Sequence, residues 1–168
     1  TVRRFDRDLC HWKESMDFDV VVIGGGSAGY AAASAAQSTG TRVGIADKGP
    51  LGGLCILRGC MPTKTILRSS NVLALMHRAK EFGLHVENPR ANLAAINDRK
   101  NRLIDEFTHY RVEQLKDPRF TLIEGFASFT SPHELNVGNR TITAKNFIIA
   151  AGSTIADFPL PGLDTSGF

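Results

Sequence analysis

The run Asp19-Val-Val-Val-Ile23 breaks straight into Gly24-Gly25-Gly26, and small residues follow from Ala28 to Ala36. A short, continuous apolar run of this kind suits a parallel strand buried on both faces. The small residues predict a helix able to lie close to that strand. Gly40 stands where a left-handed helix C-cap belongs, and Arg42 to Asp47 reads as a second strand. Strand, turn, helix, turn and strand together form the opening unit of a doubly wound α/β sheet.

The turn between the first strand and the helix has the pattern G-x-G-x-x-G, on Gly24, Gly26 and Gly29. The first glycine permits a tight turn and the second lets backbone approach a pyrophosphate. The third allows helix and strand to pack closely, while the helix N-terminus faces the anion. Asp47 ends the second strand, 18 residues after Gly29. An acidic side chain there can hydrogen-bond ribose hydroxyls. The bland alternative is a glycine-rich turn with an unrelated surface aspartate, but strand, helix, second strand and acid all fall in place. The motif by itself does not separate FAD from NAD.

Two cysteines, Cys55 and Cys60, lie just beyond this unit in the run G-G-L-C-I-L-R-G-C-M-P-T-K, from Gly52 to Lys64. An ideal helix separates residues i and i+5 by ~7.5 Å along its axis. Disulfide Cα atoms rarely lie beyond about 7 Å. Bridging the pair therefore calls for a distorted first turn, for which Gly59 gives room and in which Pro62 is tolerable. Such strain, with a helix N-terminus that lowers thiol pKa, favours a reducible pair. A structural disulfide, half of a zinc site and two buried free thiols are the competing readings. No second ligand pair at zinc-finger spacing accompanies the cysteines, and no metal is expected. Cys10 has no motif around it and reads as an idle thiol.

Farther along, Ile66, Leu73, Met76 and Ala79 recur at three- and seven-residue steps and predict a helix. A longer helix is expected from about Asn92 to Lys116, its apolar period carried by Leu93, Ile96, Leu103, Phe107 and Tyr110. Arg99, Arg102, Glu106 and Glu113 then form a solvated outward face. From Phe120 the pattern turns to short strands at Thr121–Ile123, Phe126–Phe129, Glu134–Val137 and Thr141–Thr143, with a buried strand at Phe147–Ala151. Thr1 to Ser15 show no apolar period, and residues 1–16 read as a loose leader. Pro159, Pro161 and Gly162 mark residues 159–168 as a linker.

At 168 residues the chain is one domain's worth, and 42% hydrophobic with 22% charged residues is a globular composition. No apolar run approaches the roughly 18 residues of a membrane span, and the first fifteen residues lack an apolar stretch for a signal peptide. The net charge of +3 is mild and no basic–aromatic interleaving points to nucleic acid. Three cysteines are too few for a secreted disulfide scaffold, so a close pair points to redox work in a reducing, cytoplasmic setting.

A glycine loop followed by this dithiol run resembles the pyridine-nucleotide disulfide oxidoreductases, the flavoenzyme family of dihydrolipoamide dehydrogenase, glutathione reductase and mercuric reductase. The resemblance covers about Phe18 to Gly167. It implies a Rossmann-like FAD-binding domain over residues 17–158, with a parallel sheet and a small antiparallel β insertion. That domain is expected to be incomplete at its C-terminus, with the linker leading to an NAD(P)-binding domain outside the chain. The glycine loop would hold the ADP half of FAD. Cofactor-binding residues implied are Gly24, Gly26, Ser27, Ala28, Gly29, Asp47, Lys48, Gly53, Lys64, Ala127, Ala151 and Gly152. Gly125-Phe126-Ala127 resembles a segment whose backbone contacts adenine, and Ala151-Gly152-Ser153 a later FAD-contacting turn. Cys55 would be the outward thiol that exchanges with substrate and Cys60 the charge-transfer partner of the flavin. Lys64 would put a positive charge near the reduced ring.

The resemblance implies two-electron transfer from NAD(P)H through FAD to the Cys55–Cys60 dithiol and then to a small disulfide or lipoyl-type substrate. A dihydrolipoamide-dehydrogenase-like homodimeric parent is favoured, with a mercuric-reductase-like enzyme next. A non-catalytic FAD-binding module and a flavin monooxygenase-like domain are the alternatives from other classes. The 168 residues alone are expected to bind FAD weakly and not to turn over. The run departs from the family pattern at Leu54, where a threonine is common, and at Leu57 and Arg58, in place of Asn and a small apolar residue. The five histidines have no motif context and receive no role.

Overall fold

A computed structural model describes residues 16–154 and Pro161. The leader expected over residues 1–16, with Cys10 and His11, falls outside the described residues except for Met16. So does the expected linker except for Pro161. Met16 is buried, so packed structure begins inside the span read as leader.

In chain order the elements are β1 (Phe18–Ile23), α1 (Ser27–Gln37), β2 (Val43–Asp47), α2 (Gly53–Leu57), α3 (Cys60–His77), α4 (Leu93–Leu115), β3 (Thr121–Glu124), β4 (Ala127–Ser131), β5 (Glu134–Val137) and β6 (Arg140–Ile149). A 3-10 turn, Ala79–Phe82, follows α3. The strands lie in the order β3-β2-β1-β6-β5-β4. β1 pairs in parallel with β2 and with β6, and β2 with β3. The β5–β6 and β4–β5 pairs are antiparallel. This is the expected Rossmann-like parallel sheet with an antiparallel part.

Two apolar clusters sandwich the parallel strands. On one face Val22, Val43 and Ile45 meet Ala33 of α1 and Leu115 of α4, closed by Phe120. On the other, Phe18, Val21, Ala46 and Ile123 meet Leu135, Val137 and Ile142 of the antiparallel strands. Helices thus cover one side of the β1–β2 region and a β meander the other. Alternation along β1, with Val21 to one side and Val22 to the other, explains why its sequence is apolar throughout.

Three expectations need correction. Thr141–Thr143 and Phe147–Ala151, read as two strands, are one strand, β6. Its first part pairs with β5 through Arg140–Thr143 and its second with β1 from Ala144 to Ile149. The polar bridge Lys145-Asn146 does not break it because both side chains reach Asp19: Lys145 Nζ lies 2.8 Å from its Oδ1, and Asn146 Nδ2 donates to its carbonyl at 3.4 Å. On α4 the stripe chosen from sequence is largely outside, with Leu93, Phe107 and Tyr110 exposed. The inward face instead carries Ile104, Thr108, Arg111 and Leu115, also at helical steps, so the apolar period marked the wrong side. Arg99, placed on the solvated face, turns toward α3, where its Nη1 donates to the Thr65 carbonyl at 3.3 Å.

Candidate functional site

The carboxyl ends of β1, β2, β3 and β6 are stitched together by backbone bonds. Gly24 N–H donates to Ala46 O at 2.7 Å, Gly125 N–H to Asp47 O at 2.8 Å and Ala150 N–H to Ile23 O at 2.8 Å. At these ends the sheet order changes direction, with β2 on one side of β1 and β6 on the other, which is where open α/β sheets bind ligands. A groove of about 610 Å³ runs across them. Its walls bring together Gly24, Gly26, Asp47, Lys48, Gly53, Ala127, Ala151 and Gly152 of the sequence-derived set.

The glycine turn is shaped by close approaches. A Cβ on Gly29 would lie 1.7 Å from Gly24 O, and Gly24, at φ +107°, passes 2.3 Å from Ala150 O by the same measure. Helix, turn and β6 therefore meet backbone to backbone. Gly29 is buried beneath the turn, while Ser27 and Ala28 are exposed at the start of α1.

Asp47 is held more firmly than the sequence indicates. Its Oδ2 accepts from Gly25 N–H at 2.5 Å and its Oδ1 from Gly49 N–H at 2.7 Å. The carboxylate thus ties the glycine turn to the loop after β2. About four lone-pair sites are available on a carboxylate, so acceptor capacity remains for a ligand hydroxyl. Lys48 extends over the Phe126 ring, its Nζ 5.8 Å from the centroid.

The dithiol segment forms one end of the groove, through Leu54, Leu57 and Arg58. α2 stops at Leu57, Arg58 and Gly59 leave helical geometry, and α3 restarts at Cys60. The expected distortion is therefore a break between two helices. A side chain on Gly59 would come 3.1 Å from Leu54 O. Both cysteines are free thiols, Cys55 half-buried and Cys60 exposed. The hydrogen bond with the Cys60 thiol, then burial and Cys60's charge, push the Cys55 thiol up. Cys60's backbone N–H and the Arg111 charge pull the other way and are outweighed. The lowered thiol pKa expected from a helix terminus is thus not the net result at Cys55. Lys64 is exposed one turn after Cys60, on the same side of α3.

Residues 18–168 match the model of the pyridine nucleotide-disulphide oxidoreductase family. The chain belongs to that family. It is 32% identical to a mercuric reductase of Staphylococcus aureus over 88% of this chain and 27% of the relative. It is 31% identical to a dihydrolipoyl dehydrogenase of Acholeplasma laidlawii over 89% of this chain and 45% of the relative. A mitochondrial dihydrolipoyl dehydrogenase of Pisum sativum is 35% identical over 84% and 30% respectively. The chain spans less than half the length of these curated relatives.

The groove fits the cofactor of a FAD-dependent pyridine nucleotide-disulphide oxidoreductase. Its lining includes the glycine turn, Asp47 and Leu54, Leu57 and Arg58 of the thiol-bearing segment, while Cys55, Cys60, Ser27, Ala28, Gly29 and Lys64 are not among its lining residues. Gly26 has only Gly53 Cα near its missing Cβ, at 3.6 Å, so backbone lines the groove there without a side chain in the way. The residues of this chain that depart from the family pattern, Leu54, Leu57 and Arg58, all line the groove. Sequence reading missed Gly49, Pro50, Ala150 and Thr154 as lining residues. Ala150 was legible from its place beside Gly152 at a strand end; Gly49-Pro50 carries an ordinary turn signal with nothing to mark a site. Among the described residues, no cluster of three or more His, Cys, Asp or Glu could hold a metal ion, and no helix is long and apolar enough to cross a membrane.

Proposed function

We propose that this chain is the FAD-binding, dithiol-bearing part of an NAD(P)H-dependent disulfide oxidoreductase, dihydrolipoamide-dehydrogenase-like in its substrate. The observation that supports the proposal is one groove that joins the glycine turn and Asp47 to Leu54, Leu57 and Arg58, at the helix break that separates Cys55 from Cys60. When bound, FAD supplies a two-electron relay between nicotinamide and sulfur. The chain's own residues do the rest. Gly24, Gly26, Ser27 and Ala28 present backbone and the α1 terminus to a pyrophosphate. Asp47 accepts from ribose hydroxyls, and Lys48, Gly53, Ala127, Ala151 and Gly152 line the nucleotide path. Lys64 offers a positive charge one turn from Cys60.

In the reduced dithiol, Cys55 attacks one sulfur of the substrate disulfide, breaking its S–S bond and releasing one thiolate, which takes a proton. Cys60 then attacks the Cys55 sulfur and releases the second substrate thiol. The protein ends with a Cys55–Cys60 disulfide, oxidised by the two electrons the substrate gained.

A mercuric-reductase-like substrate is the second reading, favoured by the Staphylococcus aureus relative and by the apolar Leu54 and Leu57 flanking Cys55. Reduced-nicotinamide oxidation by the full-length protein, with lipoamide or with mercuric ion as acceptor, decides between them. Cys55→Ser abolishes turnover yet leaves a long-wavelength band from the Cys60 thiolate; Cys60→Ser abolishes turnover without that band. Turnover retained in either variant overturns the dithiol mechanism.

A further inference from the structure

Phe126 lines the groove with its side chain 68% exposed. A solitary exposed ring signifies little by itself, but the backbone under this one is fixed on both sides. Gly125 N–H donates to Asp47 O at 2.8 Å, and Gly138 N–H, at the turn between β5 and β6, donates to Phe126 O at 3.1 Å. A Cβ on Gly125 would lie 2.9 Å from Gly138 N, so the two bends meet backbone to backbone. The neighbours of Phe126 turn to the interior: Ala127 packs against the Val21–Leu135 cluster, and Phe129 meets the Phe147 ring edge to face, with 5.0 Å between centroids. Phe126 takes no part in that cluster. The ring contact described for it is the Lys48 ammonium, 5.8 Å from its centroid and close to the outer limit of about 6 Å for a cation over a ring. So loose a contact is readily exchanged for a flat aromatic partner.

The order of the strands gives that partner a chemistry. β3, β2 and β1 lie side by side, and at their carboxyl ends come Phe126, Asp47 and the glycine turn in the same order. Asp47 is in register with Glu124, and Phe126 is two residues farther on. Two strand spacings, ~10 Å, therefore separate the end of β1 from the end of β3. A nucleotide with its phosphates on the glycine turn and its ribose at Asp47 continues in the same direction to place its base at Phe126. We propose that Phe126 is the stacking platform for the adenine base of the dinucleotide, its ring face taking the base where Lys48 now approaches. The inference rests on the FAD reading above, which places the pyrophosphate and the ribose. Stacking uses the flat π surface of the base and requires a rigidly held ring, which the two backbone bonds around Phe126 provide.

The test is binding of ADP to the full chain by titration calorimetry at pH 7, with inorganic pyrophosphate as the probe that lacks a base. Phe126→Ala weakens ADP binding about tenfold and leaves pyrophosphate within about twofold of wild type. Phe126→Tyr stays within about twofold for ADP, whereas Phe126→Leu, apolar but without a ring face, loses about fivefold. Equal ADP affinity in wild type and Phe126→Ala overturns the inference, as does an equal loss for pyrophosphate or full affinity in Phe126→Leu. Phe126→Trp reads the contact directly, as fluorescence over the wild type, which carries Trp12 alone. ADP quenches that signal and pyrophosphate does not; no quenching at saturating ADP overturns the stacking even where another variant fails to fold. ADP binding by the wild type with Phe126→Ala unchanged removes this inference alone. A wild type that binds no ADP up to millimolar concentration removes the nucleotide reading and this inference together.

Discussion

Replacing Asp47 by alanine removes more than a ligand contact. Its two carboxylate oxygens hold Gly25 N–H and Gly49 N–H, and the alanine variant leaves both donors without that acceptor. A hydrogen bond to a charged group contributes about 1.5–3 kcal/mol when the partner cannot be replaced. Both bonds are only part-buried, so water can substitute, and the expected loss for the pair is about 2 kcal/mol. For a chain of this size that lowers Tm by about 4–8 °C. Asp47→Asn keeps one acceptor and loses the charge, and falls between alanine and wild type. The assay is a thermal melt of the full chain at pH 7, first without and then with added FAD. Because the two bonds are internal to the protein, the loss appears without FAD. A residue serving only the ribose would leave that melt unchanged and diminish only the stabilisation by ligand. A cofactor-free Tm within a degree of wild type in Asp47→Ala refutes the reasoning.

Two further outcomes follow from the packing and the charges. Gly29→Ala places a Cβ against Gly24 O, where helix and turn have no room to separate, and is expected to cost more than about 3 kcal/mol, read as lost soluble yield or a collapsed urea midpoint. Asp19 is held well below the usual carboxylate range, first by the Lys145 side-chain bond and then by the Arg42 backbone and side chain. A depressed folded-state pKa stabilises above the unfolded value of about 4 and is lost as pH falls below it, so Asp19→Asn lowers the urea midpoint at pH 7 and flattens its decline between pH 5 and pH 3.

The parts of this protein legible in its sequence are those where one residue type has one use. The glycines of the turn, the apolar run of β1 and the acid ending β2 admit few other arrangements, and they lie together as the pattern requires. The same holds for Asn92, whose side chain accepts from Ala95 N–H and caps α4. Legibility failed where several residues fitted equally. α4 has two overlapping stripes at helical steps, and its more apolar stripe is the exposed one. Arg111 was invisible because a cation on a helix is ordinarily a surface residue; stepping back from Leu115 by four, seven and eleven finds the inward face that carries it. The second hydrogen bond of Asp47 depends on the loop to Gly49 folding back, which no spacing rule encodes.

The undivided course of β6 restricts how this chain can change over evolutionary time. One strand pairs in parallel with β1 and antiparallel with β5, so its residues are counted off from both ends at once. Inserting or deleting a single residue between Thr143 and Phe147 would rotate everything on one side of the change by half a pleat. Either Ile142 would leave the layer it shares with Leu135 and Val137, or the contacts of Phe147 beside β1 would reverse. The bends at Ser131–Pro132 and Gly138–Asn139 carry no such double obligation. Length variation in descendants of this sequence should therefore collect at those two bends, leaving the interval from Arg140 to Ile149 constant in length though free to vary in its outward side chains.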